Sequence, residues 1–402
     1  MIKKTWCFFS VMILGLVMGC GDSKTSLDQN NTASNLLKKN NVVEEDILID
    51  SVGDSGEFIT TWQFPAGTTI QLPLYAKKGR AGFTVNWGDG SSSQDIDYYW
   101  DGNHTYETGG VYVIRIKSLD GYEFPRWIFY DDDQSAQYLT GINRFGQPGW
   151  KDMAFAFRGC ENLNYVSFAD AGFDEVDSFV AMFEGAFTNV DGGVSLNFRG
   201  MSFPNADDFA LMFREANLDH VDFSNVTFPK GTDFRQMFKD TQVNSVDFSN
   251  ASFTDPSDPH KTVVMNLMFE DSAVQTATFK DADFSQVLNI KGLFMDTKNL
   301  LSVDLQVKDH DMSKVENMRV LFDDSNISTI DMSGLILSNL TDVTYAFSDI
   351  KNLVSLSFEG AVMPSGIDSV DQFRTFYGSK EDFQYICPSA NYGTLFGKNC
   401  SN

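Results

Sequence analysis

The chain has 402 residues, with 55 acidic against 30 basic side chains and a formal net charge of -25. Such an acid excess argues against nucleic acid and against an anionic membrane surface as partners. It fits a soluble, exposed body.

At the start, Lys3 and Lys4 precede an apolar run from Cys7 to Met18 that ends in Val17-Met18-Gly19-Cys20. A basic start and an apolar stretch too short to stay in a bilayer read as a signal peptide over residues 1–19. Glycine before cysteine, with polar sequence beyond, resembles the bacterial lipobox, although Val17 stands where leucine is usual. The resemblance implies that Cys20 is the acylated first residue of the mature chain. Residues 20–56 are rich in Ser, Asn, Asp and Lys without sustained period, the composition of a flexible tether. Loss of Lys3 and Lys4 leaves the mature chain more acidic still.

Over residues 57–120 short strands alternate with glycine turns: Thr84-Val85-Asn86-Trp87, Gly88-Asp89-Gly90, His104-Thr105-Tyr106, and Gly110 to Ile116. This is a small β-sandwich pattern. Trp-Gly-Asp-Gly followed by His-x-Tyr-x-x-x-Gly-x-Tyr-x-Ile resembles the PKD-type immunoglobulin-like module, with His104 as a structural hydrogen-bonding residue. Residues 121–150, with Phe124-Pro125-Arg126 and Trp150, form a connector and N-terminal cap.

Residues 151–378 repeat. Nine anchors, Phe157, Phe183, Phe213, Phe238, Phe269, Phe294, Phe322, Phe347 and Phe376, are spaced 25 to 31 residues apart, the period of a solenoid. Before most of them apolar residues recur at offsets of three and four, as in Phe209, Met212, Phe213 and Phe234, Met237, Phe238, which predicts a short helix. About ten residues later comes an alternating run, as in Val221-Asp222-Phe223-Ser224 and Val246-Asp247-Phe248-Ser249, which predicts a strand. The expected fold is therefore an α/β repeat solenoid, a short helix plus a strand per repeat, after a small all-β sandwich. A unit with four or five apolar side chains, each worth roughly 1.5 to 3 kcal/mol buried, cannot offset backbone ordering of roughly 1 to 2 kcal/mol per residue. Single repeats must stack to fold.

Residues 379–402 read as a C-terminal cap. There Cys387 and Cys400 are candidates for a disulfide closing a short loop, and Cys160, beside an anchor, fits a small core residue.

The order Phe58-Ile59-Thr60-Thr61-Trp62, the Trp-Gly-Asp-Gly segment, Phe124-Pro125-Arg126, Trp150, then Phe157-Arg158-Gly159-Cys160-Glu161-Asn162-Leu163 and the Met-Phe repeats resembles the BspA-like leucine-rich repeat surface proteins of bacteria. That resemblance implies a surface lipoprotein, outer-membrane and exposed, used in adhesion or recognition of a protein or glycan, touching membrane only through its lipid. Phenylalanine at strand positions such as Phe223 and Phe248 departs from the leucine consensus.

Catalytic signatures are sparse. His104, His220, His260 and His310 lie out of helical reach of one another, and no His-Glu-x-x-His or paired-cysteine zinc spacing occurs. Gly53-Asp54-Ser55-Gly56 lies in the tether without a triad scaffold, and Gly88-Asp89-Gly90 reads as a tight turn. No cofactor is expected and the chain reads as non-enzymatic; the alternative is a carbohydrate-binding accessory protein or a hydrolase, for which an exposed cluster among Trp62, Trp87, Trp100, Trp127 and Trp150 would speak. Candidate ligand residues are the outward strand positions Asp222, Ser224, Asp247, Ser249, Asp304, Asp331 and Ser333, which are either a solvated face or a recognition strip.

Overall fold

The computed structural model describes residues 56–401 apart from 76–81, 99–100, 121, 123, 130–133 and 367–371. The leader, Cys20, the tether to Ser55 with most of its Gly-Asp-Ser-Gly run, and Trp100 lie outside the described residues.

Alternating apolar and polar residues build the N-terminal strands β1 (Glu57–Phe64), β2 (Thr68–Gln71), β3 (Leu74–Tyr75), β4 (Phe83–Asn86), β5 (Gln94–Ile96), β6 (Asn103–Tyr106), β7 (Gly110–Ser118), β8 (Arg126–Trp127), β9 (Leu139–Arg144) and β10 (Tyr165–Val166). Six of them form one sheet in the order β10-β9-β1-β7-β4-β5, beside two-stranded ladders β2-β6 and β3-β8. The central strand β1 pairs antiparallel with β7 from Glu57–Lys117 to Phe64–Gly110. On its other side β9 pairs antiparallel with β1 and parallel with β10, which belongs to the first repeat. The sheet thus runs straight into the repeats, and the two parts share a core. Phe58 of β1 sits edge-on to Trp127 and Trp150 at 4.8 and 5.1 Å, with the first anchor, Phe157, at 6.4 Å.

From there the chain winds as a solenoid. Its strands are β11 (Val194–Asn197), β12 (Leu218–Asp222), β13 (Ser245–Asp247), β14 (Val263–Val264), β15 (Thr276–Thr278), β16 (Val287–Asn289), β17 (Ser302–Asp304), β18 (Thr329–Asp331), β19 (Ser355–Ser357), β20 (Gln384–Ile386), β21 (Thr394–Leu395) and β22 (Lys398–Asn399). Parallel pairing runs β11-β12-β13-β15-β17, then separately β18-β19-β20, with β14-β16 as a second ladder. Isolated parallel bridges such as Thr227–Ser252 and Asp208–Asp233 tie the remaining sides of each rung to the next.

The expected helix in each repeat is absent. Among the described residues helical geometry is confined to 3-10 turns at Asp101, Ala136–Tyr138 and Lys308–His310, and the fold is a β-solenoid, not an α/β repeat. Backbone geometry explains the correction. Two residues before each anchor φ is positive, between 49° and 61° at Phe155, Ala181, Leu211, Gln236, Leu267, Gly292, Val320, Tyr345 and Arg374. Two residues after each anchor it is positive again, between 54° and 71°, at Gly159, Gly185, Glu215, Asp240, Asp271, Asp296, Asp324, Asp349 and Gly378. A right-handed helix cannot pass through such residues. Alternate N–H groups instead close short turns, Ala156 to Met153 O and Cys160 to Phe157 O, while those between reach the next rung, Phe155 to Val180 O, Phe157 to Met182 O and Gly159 to Glu184 O. A string of three-residue turns returns side chains to the interior at offsets of three and four. Spacing alone therefore does not separate it from a helix.

The interior is stacked phenylalanine. All nine anchors lie in one column, with successive ring centroids 5.1 to 6.2 Å apart and planes within 19° of parallel. A second column runs Phe198, Phe223, Phe248, Phe279 at 4.7, 5.0 and 5.2 Å. Each pair adds roughly 0.5–1.5 kcal/mol beyond the area it buries. Replacement of leucine by phenylalanine at the strand positions suits this stacking. Cys160 is fully buried three residues after its anchor, where Ala186, Ala216, Thr241, Ser272, Thr297 and Ser325 stand in later rungs and only Ile350 is large.

Two irregularities have specific solutions. The rung between Phe238 and Phe269 carries an extra loop, exposed from Pro256 to His260, and Lys261 closes it. The Lys261 ammonium is buried and donates to Phe228 O, Pro229 O and Phe253 O at 2.9, 2.8 and 2.9 Å. Burial outweighs the carboxylates of Asp255 and Asp258 and pushes it down to about 8. Gln286 grips the same loop through Asp255 N–H and the carbonyls of Asp255 and Asp258. At the C-terminal end, Ser401 N–H donates to Tyr385 O at 2.7 Å and the Tyr385 hydroxyl to Leu395 O at 3.1 Å, so the tail covers the last strand. Cys387 and Cys400 are joined as a disulfide across a Cα–Cα distance of 5.7 Å, holding that tail in place.

Candidate functional site

Strand register decides which outward residues meet. Asp222 pairs with Asp247, Asp247 with Thr278 and Thr278 with Asp304. One step N-terminal on the same face, His220 pairs with Ser245, Ser245 with Thr276 and Thr276 with Ser302. Four adjacent rungs therefore present two polar columns. Asp331 is not part of this array, because β18 starts a separate sheet in which it pairs with Ser357.

Each strand-end aspartate also works locally. Asp222, Asp247, Asp304 and Asp331 accept the N–H two residues on, from Ser224, Ser249, Gln306 and Ser333, at 2.8, 2.7, 2.9 and 2.9 Å. Such Asx turns release the chain from the strand into the corner. One carboxylate oxygen is thereby committed to the fold. Asp222, Asp247 and Asp304 are half-buried and Asp331 is exposed. Ser224 is buried and unavailable to a ligand, while Ser333 hydrogen-bonds Ser357 at 2.7 Å and Ser249 stays half-exposed.

A second set of the same turns escaped the sequence reading. Asp152, Ser178, Asp208, Asp233, Asn289, Asn317 and Asp342 each accept the N–H two residues on. The signal was present, since each lies five residues before an anchor. Burial, reinforced by Asp233 and Asp207, raises the Asp208 carboxyl above its ordinary value despite the Ala210 N–H. Burial likewise raises Asp323, with Asp349, Asp296 and Asp324 adding to it against the Ser348 hydroxyl. These neighbours belong to a column of acids at the left-handed positions, Asp271, Asp296, Asp324 and Asp349, where short polar side chains tolerate positive φ.

The Trp-Gly-Asp-Gly segment is internal architecture. His104 stacks on Trp87 at 4.7 Å and meets Asp89 Oδ2 at 2.7 Å, while the Tyr106 hydroxyl donates to Trp87 O at 3.0 Å. Partial burial opposes ionisation of Asp89, but bonds from Ser91 and His104 prevail and hold it at about 2. Trp62, Trp87, Trp127 and Trp150 are all buried, so these four offer no exposed platform for sugars. Among the described residues no group of three or more His, Cys, Asp or Glu could hold a metal ion. The His220 ring approaches the Ser245 hydroxyl at 2.8 Å.

Fold and surface together define a β-solenoid with a phenylalanine core and an outward polar array. Residues 232–359, under a third of the chain, are similar to the family described as "Mycoplasma protein of unknown function, DUF285". No curated protein and no solved structure matches the chain.

Proposed function

We propose that this is a non-enzymatic, lipid-anchored protein of the bacterial cell envelope, exposed at the outer membrane, that recognises a protein or glycan partner with the strand face of its solenoid. The supporting observation is the array His220/Asp222, Ser245/Asp247, Thr276/Thr278 and Ser302/Asp304, held in register on adjacent strands. The core is filled by the inward residues between them, and the carboxylate oxygen that each strand-end aspartate does not spend on its turn remains to match a ligand. Adjacent strands lie about 4.8 Å apart, a rigid spacing that favours an extended partner with repeated hydrogen-bonding groups. The envelope setting is part of the proposal, resting on the Gly19-Cys20 junction and on the resemblance to BspA-like surface proteins.

The test is capture of surface molecules with the full chain, followed by affinity measurement for the Asp222→Asn, Asp247→Asn, Asp304→Asn, Asp331→Asn variant at two salt concentrations. Weaker binding, most of all at low salt, is expected. Unchanged affinity for every captured molecule would place recognition elsewhere. An undetected hydrolase is the second reading, favoured by the His220–Ser245 contact, which suits ester rather than glycoside cleavage, and Ser245→Ala would have to abolish any ester hydrolysis found.

A further inference from the structure

We propose that this chain cuts its own backbone once, at the Asp258–Pro259 peptide bond of the extra loop, when its surroundings are mildly acidic. The reaction is a single event, not turnover, and does not depend on the function proposed for the strand face.

The loop concentrates one kind of bond. Of the ten prolines in the chain, only Pro256 and Pro259 follow an aspartate. Both lie in the extra loop, which is exposed from Pro256 to His260. In an ordinary aspartyl bond the following N–H can attack the side-chain carboxyl and close a succinimide. Proline has no N–H, so the opposite attack remains: carboxyl oxygen on its own backbone carbonyl, with the proline nitrogen as leaving group.

The second argument is what holds those two carbonyls. Gln286, from the next rung, is buried, and its Nε2 donates to Asp255 O at 3.1 Å and to Asp258 O at 2.9 Å. Lys261 N–H gives Asp258 O a second donor at 3.2 Å, and Asp258 N–H does the same for Asp255 O at 3.1 Å. Fixed donors of this kind stabilise the oxyanion that forms when a carbonyl is attacked.

Side chains then choose between the two bonds. Ser257 donates its N–H and its hydroxyl to Asp255 Oδ1, at 2.8 and 2.6 Å, and holds that carboxyl below its ordinary value, ionised and without a proton to give. Asp258 Oδ1 takes one N–H, from His260 at 2.9 Å. The titratable groups around it are Asp255, His260, Lys261 and Lys314, whose ammonium donates to Pro259 O at 2.9 Å. The two ammonium groups favour negative charge on the attacked oxygen.

In the step, a neutral Asp258 carboxyl passes its proton to the Pro259 nitrogen while its oxygen bonds to the Asp258 carbonyl carbon. The C–N bond breaks with its electron pair on the proline nitrogen, and Asp258 closes into a cyclic anhydride. Water opens the anhydride to a C-terminal aspartate, so the sum is hydrolysis of one peptide bond. The neutral carboxyl becomes common as pH falls toward roughly 4. The halves stay together, because Phe238 stacks on Phe269 and Phe253 meets Phe284 across the cut, at 5.1 and 5.7 Å.

The purified full chain is held at a series of pH values and its fragments are weighed by mass spectrometry. Fragments ending at Asp258 and beginning at Pro259 are expected, forming at least about tenfold faster near pH 4 than near pH 8, and faster in the folded chain than in concentrated urea at the same pH. Asp258→Glu, which would need a larger anhydride ring, and Gln286→Ala, which lacks an oxyanion donor, should each cut about tenfold more slowly. The cut chain should elute as one species under native conditions; both cysteines of the disulfide lie beyond Pro259, so denaturing gels separate the fragments without reduction. Equal rates in folded and unfolded chain would show an acid-labile bond without a site and overturn the proposal. So would an intact chain at every pH, or cutting of Asp258→Glu as fast as wild type, which would betray a contaminating protease.

Discussion

Asp222 lies in parallel register beside Asp247, and each turns Oδ1 back onto its own chain, to the N–H of Ser224 at 2.8 Å and of Ser249 at 2.7 Å. Two carboxylates on neighbouring strands are tolerated because each is half-solvated and each has a donor of its own. Water screens a pair at this distance to roughly 1 kcal/mol. The same side chain thus serves the turn with one oxygen and offers the other outward.

A direct consequence concerns Asp247. Asp247→Asn keeps the accepting oxygen and should change stability by no more than about 0.5 kcal/mol. Asp247→Ala removes it and should cost about 1 kcal/mol. Urea unfolding of both variants decides the matter; equal losses would show that charge, not the turn bond, is what Asp247 supplies.

Phe238 stacks between Phe213 and Phe269, 5.1 Å from each. Phe238→Ala should therefore cost about 3 to 5 kcal/mol, since neighbouring rungs cannot collapse into the gap independently. An unchanged unfolding midpoint would refute the shared-column account of solenoid stability.

The left-handed corners give a test that separates this fold from a helical repeat. Gln236 has φ of 55°, where glycine relieves roughly 1 kcal/mol of strain. In a helix the same change would cost about 1 kcal/mol. Gln236→Gly is expected to raise the unfolding midpoint or leave it unchanged, with a far-ultraviolet spectrum dominated by strand. A clear drop in midpoint would count against the corner geometry.

Lys261 should give stability an alkaline dependence. Burial lowers its native value from 10.5 to about 8, so between those pH values the unfolded chain binds more protons than the native one. Stability from this group then rises with pH across that window, and the native state carries the cost of the buried charge below it. Lys261→Met strands the carbonyls of Phe228, Pro229 and Phe253 and should cost about 1 to 3 kcal/mol. Measured from pH 7 to pH 10, the stability advantage of wild type over Lys261→Met should widen. A constant difference would mean that Lys261 titrates normally.

At the N-terminus, Cys20→Ala should release the protein from the membrane fraction if the Gly19-Cys20 junction is acylated. Retention of the variant with membranes, and no fatty-acid label on the parent, would disprove the anchor.

The period and the inward set were legible from the residues alone. Phenylalanine every 25 to 31 positions leaves few ways to bury so many rings except by stacking rungs, and alternation in Val221-Asp222-Phe223 sets which side chains face out. Conformation at the corners was not legible in the same way. Offsets of three and four arise from a helical turn and from a string of short turns alike, because both return the chain to the same side after three or four residues. The recurring Gly, Asp or Glu two residues after each anchor was the available clue, and its weight becomes plain only once Phe157 N–H is seen to reach Met182 O in the next rung. That Asp222 meets Asp247 followed from the period, but where the ladder ends did not. Thr278 stands between Asp247 and Asp304 in unbroken register even across the rung with the extra loop, whereas Asp331 opens a separate sheet that no local pattern announces. Local chemistry determined what each rung buries; only long-range hydrogen bonding between rungs decided how the backbone turns and where the strand ladder ends.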